Sequence, residues 1–170
     1  MDLATFIRDV PDFPKKGIIF KDITTLLKEP LAFKSAIDIM AERYSRIVVT
    51  KVVGIESRGF VFGGALAYKL NCGFVPCRKA GKLPAATIRE EYTLEYGSNA
   101  LEMHVDGIQK GDQVLVVDDL LATGGTALAT AKLVTKLAGN VIGFEFLIEL
   151  EFLSGRNKLQ GYRVNSLIRY

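Results

Sequence analysis

The stretch Val114–Thr126, VLVVDDLLATGGT, decides how the rest of the chain is read. Val114 to Val117 are four aliphatic residues in a row, too few for a helix and too apolar for a half-exposed strand, so they read as a strand buried on both faces. That strand is predicted to end in Asp118 and Asp119, at the carboxyl edge where open α/β sheets gather their ligands. Ala122, Thr123, Gly124, Gly125 and Thr126 follow, small, hydroxyl-bearing or free to adopt positive φ, and the apolar periodicity from Ala127 to Leu137 predicts a helix directly after them. A strand, a glycine-bearing turn and a helix N-terminus make an anion site, because unpaired backbone N–H groups and the positive end of the helix dipole converge there. Phosphate is the expected guest.

The kind of phosphate site follows by exclusion. A P-loop closes on Gly-Lys-Ser/Thr, whereas Thr126 and Ala127 come after Gly124-Gly125 here. A dinucleotide fingerprint spaces three glycines and sets its acid about 20 residues downstream rather than directly before the loop. Two adjacent carboxylates one short turn before a phosphate cradle suit a phosphorylated sugar, with the acids accepting hydrogen bonds from ribose hydroxyls while the loop grips the 5'-phosphate. On these residues the segment resembles the phosphoribosyl pyrophosphate signature of the type I phosphoribosyltransferases. The resemblance implies an α/β fold, an open and mostly parallel sheet flanked by helices, with a small N-terminal hood over residues 1–30 and a flexible β-hairpin lid over residues 86–104, all within one domain.

Composition sets the outer limits. The chain has 170 residues, 49% hydrophobic and 24% charged, which predicts one soluble domain with a real core. A net charge of +3 is too mild to point to nucleic acid or a membrane. No apolar run approaches the roughly 18 residues of a span and no charged-then-apolar leader opens the chain, so a cytoplasmic location is expected. Cys72 and Cys77 are the two cysteines and His104 the one histidine, which leaves no zinc set and predicts buried free thiols.

Taken in order, Met1 to Val10 read as a short amphipathic helix with Leu3, Phe6 and Ile7 on one face, ended by Pro11. Ile18, Ile19 and Phe20 read as a short buried segment before a turn at Lys21 and Asp22. This region resembles the hood of the family's adenine-specific, purine-salvage branch, which implies that Ile19, Phe20 and Lys21 line an adenine pocket, main-chain groups reading the base edge and an aromatic ring against its face. Phe33, Ile37, Met40 and Tyr44 recur at three and four, predicting a helix over Leu31–Tyr44 with Pro30 just before it. Ile47 to Ile55 reads either as one long strand or as a helix end followed by a strand from Lys51. GIESRG, Gly54 to Gly59, leads into a helix over Phe60–Leu70, a second strand–turn–helix unit whose Arg58 can chelate a pair of phosphate oxygens. Gly73 to Cys77 reads as a strand, with Arg78, Lys79 and Lys82 clustered beyond it. The resemblance implies that Glu56, Ser57, Arg58 and Gly59, together with Arg78, Lys79 and Lys82, contact the pyrophosphate.

Ala86 to Met103 breaks the alternation of strand and helix and reads as a hairpin turning at Tyr96-Gly97-Ser98-Asn99. A lid serves a reaction whose activated carbon must be kept from water. The resemblance implies that Glu95 is the general acid toward the purine and that Tyr96 packs over the reacting sugar, making Glu95, Asp118 and Asp119 the catalytic carboxylates. Gly139 is the expected residue closing the helix after the central motif. Val141–Leu150 reads as a core strand despite Glu145 and Glu149, Phe152–Lys158 as a short helix or turn with Phe152 and Leu153 loosely matched to the base pocket, and Tyr162–Tyr170 as a last strand, at an edge. The implied reaction joins adenine to phosphoribosyl pyrophosphate, giving AMP and pyrophosphate. The resemblance further implies Mg2+ held mainly through the substrate rather than by a protein cage, and a homodimer. Two other readings stay open: a sibling transferase for another base, and a non-enzymatic sensor of phosphoribosyl pyrophosphate.

Overall fold

In the computed structural model, residues 1–93 and 98–170 are described. The chain forms β1 (Arg8–Pro11), β2 (Ile19–Asp22), α1 (Thr24–Leu27), α2 (Pro30–Glu42), β3 (Lys51–Ile55), α3 (Gly59–Leu70), β4 (Gly73–Lys79), β5 (Thr87–Thr93), β6 (Ser98–His104), β7 (Gln113–Leu121), α4 (Gly125–Lys136), β8 (Asn140–Glu149) and β9 (Val164–Arg169). Short 3-10 turns at Leu3–Phe6, Glu151–Leu153 and Gly155–Leu159 complete the order. Seven strands make the main sheet in the order β5-β6-β4-β3-β7-β8-β9. β4, β3, β7, β8 and β9 run parallel, and the β5–β6 hairpin joins antiparallel through Arg78↔Glu102 and Lys79↔Leu101.

Both faces of β3 and of β7 as far as Val117 are covered, which is why those stretches read as aliphatic runs rather than alternating. Val52, Leu115 and Val117 face α2 and α3, packing with Ile37, Met40, Phe62 and Leu66. Val53, Ile55, Val114 and Val116 face the other way, onto Ala127, Ala131, Leu133 and Val134 of α4. Connections from β3 through α3 lead to one side of the sheet and those from β7 through α4 to the other, so the order reverses between β3 and β7. Such a reversal leaves a crevice at the strands' carboxyl ends.

Several expectations are corrected. Met1 to Val10 form a 3-10 turn followed by β1, not an amphipathic helix: Leu3 alone buries fully, and Arg8, Asp9 and Val10 pair with Asp22, Lys21 and Phe20 in a two-stranded sheet. Ile18 and Ile19 are exposed rather than buried, since β2 has no layer over it. The open choice at Ile47 to Ile55 resolves to a strand from Lys51, with Val48 solvent-facing. β4 continues through Arg78 and Lys79, because β6 gives those two residues ladder partners. Ser98 and Asn99 belong to β6, opposite Thr93 and Tyr92, instead of to the hairpin turn. The left-handed residue after α4 is Ala138 (φ 62°), not Gly139. Gly139 is required there for space, since a Cβ would stand 2.6 Å from Ile108 Cγ2. Cys77 is buried as expected, its thiol pushed up to about 12 by burial, whereas Cys72 is only half-buried.

Candidate active site

β7 does not stop at the acids. It pairs with β3 only from Val114 to Val117, but with β8 as far as Leu121. Asp118 and Asp119 therefore stand on a strand that is still held on one side and already open on the other. Successive strand residues point to opposite faces. Asp118 turns toward α4, where it helps line a small cavity of about 70 Å³ with Thr126, Ala127 and Phe146. Asp119 turns toward the α3 side and meets Arg58, whose Nε lies 2.7 Å from Asp119 Oδ2.

The larger cavity spans this opening. It holds about 470 Å³ and is lined by Glu56, Ser57, Arg58, Lys79, Tyr92, Leu101, Asp118, Asp119, Leu120 and Thr126. Two helix N-termini border it. α3 starts at Gly59, where a Cβ would stand 2.8 Å from Asp118 Oδ1 and 3.0 Å from the Val117 carbonyl oxygen, so glycine alone lets the helix begin this near the strand end. α4 starts after Gly124, whose φ of 79° suits glycine and turns the chain from β7 into the helix. First-turn amides of a helix have no intrahelical partner; among the described residues those of Gly125, Thr126 and Ala127 find no acceptor, beside the smaller cavity, whereas in α3 the Phe60 and Val61 amides already donate to the Ser57 and Arg58 carbonyls.

Charge is unevenly placed within this site. Burial raises the Asp118 carboxyl well above the ordinary range, with the neighbouring Asp119 charge adding to it. Asp119, 4% exposed, is raised by burial too, and the Arg58 guanidinium only partly offsets this. Arg58 Nε is close to Asp119 Oδ2 but out of line for a hydrogen bond, and this oxygen has no hydrogen-bond partner. Such a pair holds a proton readily and gives it up when a hydroxyl donor or cation arrives. Glu56 is the reverse case. Burial works to raise it, but Arg78 Nε at 3.0 Å from Oε2 and the Lys79 amide at 3.0 Å from the same oxygen outweigh that, and its carboxyl is held below the usual range.

Of the residues singled out in sequence, Glu56, Ser57, Arg58, Lys79, Asp118, Asp119 and Thr126 meet in the larger cavity, and Ala122, Thr123, Gly124 and Thr126 line the smaller one. Gly125 opens α4 beside them. Arg78 and Lys82 do not line either cavity: Arg78 is turned to Glu56, and its Nη1 donates to the Lys82 carbonyl at 3.2 Å. Phe20 reaches the site through Arg58, whose guanidinium carbon lies 5.1 Å from the ring centroid. Lys21 turns away, onto Asp9 at 2.7 Å and over the Tyr170 ring. Ile19 is on the same open strand. Glu95 and Tyr96 lie outside the described residues. Sequence reading missed Tyr92 and Leu101, hairpin residues that wall the cavity; the alternation of Ile88 and Tyr92 was the available signal.

The phosphoribosyl transferase domain family matches residues 22–160. The adenine phosphoribosyltransferase of Brachyspira hyodysenteriae is 61% identical over 170 residues, all of both chains. The chain belongs to the adenine phosphoribosyltransferase family. Among solved adenine phosphoribosyltransferases, that of Thermoanaerobacter pseudethanolicus superposes with a TM-score of 0.96 at 52% identity, covering 99% of this chain and 98% of that one. The Saccharomyces cerevisiae adenine phosphoribosyltransferase, in complex with adenine and D-2,5-dideoxy-2,5-imino-altritol 1,6-bisphosphate, superposes with a TM-score of 0.92 at 40% identity, covering 97% of this chain and 96% of that one.

Proposed function

We propose that the chain transfers the 5-phosphoribosyl group of phosphoribosyl pyrophosphate to adenine, releasing AMP and pyrophosphate. One observation carries the reading: a paired-acid strand end and a glycine-turn helix start open into the same cavity as an arginine-bearing second helix start. That is a site for a sugar bearing phosphates at two ends. Full-length similarity to adenine phosphoribosyltransferases supports adenine as the base.

In the reaction, a purine nitrogen forms the new bond to C1', the C1'–oxygen bond breaks with its electron pair going to pyrophosphate, and the nitrogen's proton is lost. C1' becomes cation-like on the way. Ala122 to Thr126 grip the 5'-phosphate through first-turn amides of α4, so binding energy far from C1' aligns the attack. Asp119 and Asp118 accept from the ribose hydroxyls and place negative charge beneath the developing cation. Arg58, Lys79, Ser57 and the α3 start receive the departing pyrophosphate, with Arg78 and Lys82 acting through the orientation of Glu56. Phe20 offers a ring face to adenine, with Ile19 and Lys21 contributing main-chain groups. By family resemblance, Glu95 is assigned the purine's proton handling and Tyr96 the cover over the sugar.

The site suits Mg2+ carried in with the substrate. Among the described residues no three His, Cys, Asp or Glu gather into a cage, whereas the buried Asp119 Oδ2 lacks a hydrogen-bond partner beside Asp118. These two acids would hold the ion, directly or through water. Once bound, it would neutralise pyrophosphate charge as the bond breaks. Homodimeric assembly and a cytoplasmic location complete the reading. They are consistent with the family; among the described residues no helix is long and apolar enough to cross a membrane.

The test is turnover. Chain, Mg2+ and phosphoribosyl pyrophosphate are incubated with adenine, guanine, xanthine or uracil, and nucleotide formation is followed by chromatography. AMP should form far faster than any other product; preference for guanine would overturn the base assignment, and no turnover with any base would leave only a sensor.

A further inference from the structure

We propose that the Gly155–Arg156 turn is the rear wall of the Ala122–Thr126 loop and sets its shape for the sugar phosphate. The role rests on the 5'-phosphate assignment above. Neither residue lines a cavity described here, so this is positioning rather than contact.

Two glycines meet back to back. A Cβ on Gly155 would stand 2.9 Å from the Gly124 amide nitrogen and nearer still to the Ala122 carbonyl oxygen. One on Gly124 would stand 3.1 Å from the Gly155 carbonyl carbon and nearer to its oxygen. Backbone therefore packs on backbone, with no side chain to give way. Gly124 holds φ at 79°, a region glycine populates about as readily as negative φ, so the contacts around it decide which it keeps. Gly155 is the group in place to do so, and its own position is anchored. Arg156 Nε donates to Glu149 Oε1 at 2.9 Å, Nη2 donates to Glu149 Oε2, and Nη1 donates to the Val164 carbonyl at 2.7 Å. Glu149 is buried and also accepts from Ser166 Oγ at 2.7 Å. It sits directly opposite Leu121, the last β7 residue before the loop. The loop's start and its support's anchor thus occupy one rung of the sheet, and Leu159, buried, pins the far end of the turn.

Amides grip a phosphate only when they converge, within about half an ångström. An alanine at position 155 must part the turn from the loop, and with the turn anchored through Arg156 the loop is the side that yields, which spoils that convergence.

The full-length chain is compared as wild type, Gly155→Ala and Arg156→Gln. Steady-state kinetics with Mg2+ and thermal protection by ribose 5-phosphate are the two readouts. Gly155→Ala should raise KM for phosphoribosyl pyrophosphate by about tenfold or more, the scale on which misplacement of a binding group is felt. KM for adenine should stay within about twofold, and protection by ribose 5-phosphate should largely vanish; Arg156→Gln should move each readout the same way by a smaller factor. Folded variants with wild-type KM for phosphoribosyl pyrophosphate overturn the proposal, and if Gly155→Ala does not fold, Arg156→Gln alone decides it. A wild-type chain that ribose 5-phosphate fails to protect would instead sink the phosphate-loop assignment, and this proposal with it.

Discussion

Replacing Asp119 by Asn separates catalysis from stability at one buried position. The change keeps shape and removes a charge. Asp119 is 4% exposed and its carboxyl is raised by burial, so near neutrality the native fold bears a cost for ionising it. Asn escapes that cost. The guanidinium left behind, Arg58, has a side chain 40% exposed and can turn to water. The penalty of an orphaned buried charge, about 3–5 kcal/mol, therefore does not apply, and stability should change by no more than about 1 kcal/mol either way. Catalysis is another matter. A full charge pair about 4 Å apart at an effective dielectric of about 20 is worth about 4 kcal/mol, and about half a charge developing at C1' gives about 2 kcal/mol. Exchanging a charge-assisted hydrogen bond to a ribose hydroxyl for a neutral one removes about 1 kcal/mol more. The sum, about 3 kcal/mol, is a loss on the order of 100-fold in turnover. AMP formation under saturating substrates, with a thermal melt on the same sample, reads both quantities. A kcat within threefold of wild type in a folded variant would refute the role given to this carboxylate; equal loss of fold and activity would refute the separation.

Glu95→Gln should lower kcat more than it raises KM for either substrate, checked by steady-state kinetics, because proton handling matters in the transition state and little in binding. Binding of phosphoribosyl pyrophosphate with Mg2+ should release protons from Asp118 and Asp119, whose carboxyls are raised in the free chain, so affinity should strengthen as pH rises through their range. Calorimetry in buffers of differing ionisation enthalpy detects the release. The hood should behave oppositely: Asp22, lowered to about 2 chiefly by the Thr24 amide and then by Arg8, contributes stability that is present above its ordinary value of 3.8 and lost as pH falls toward 2. Asp22→Asn should flatten the acid limb of a melting-temperature profile over that window. Arg78→Met should raise KM for phosphoribosyl pyrophosphate while adenine KM stays constant, since it leaves the Glu56 carboxylate, which lines the cavity, without the guanidinium that offsets its charge.

What could be read from the sequence depended on how local its cause was. β7, β3 and their helices were visible because strands covered on both faces need unbroken aliphatic runs, and Pro30 and the glycine turns mark helix ends without reference to distant residues. Glu145 and Glu149 spoiled the β8 pattern. Their partners, Arg43, Asn165, Arg156 and Ser166, come from other elements, one of them 102 residues away, and only the fold shows that two buried acids are satisfied. The hood failed for a related reason. Leu3, Phe6 and Ile7 support a helix by periodicity over the first ten residues, but a ladder to Phe20, Lys21 and Asp22 outweighs a helix too short to stand alone. In the site, the acids, the glycine turn and Arg58 were legible by residue type. That Tyr92 and Leu101 wall the cavity and that Gly155 backs the loop was not, beyond the hairpin's alternation, since those roles come from where a second strand or turn happens to lie.

The site's position is itself a product of unequal strand lengths. β3 stops pairing with β7 at Val117, and β8 carries on to Leu121, four residues further. Had both neighbours stopped together, the acids would lie on an unsupported loop, mobile and solvated, with ordinary carboxyl behaviour. Had both continued, the pair would be sealed between ladders with no room for a sugar. Support on one side alone lets two like charges be buried, raised and open to a ligand at once. The same extension brings Glu149 level with Leu121, which is what allows the Gly155 turn to be anchored behind the phosphate loop. On the proposed reading, one asymmetric edge would provide both the charge beneath C1' and the cradle for the 5'-phosphate, at a separation fixed by the few residues from Asp118 to Thr126.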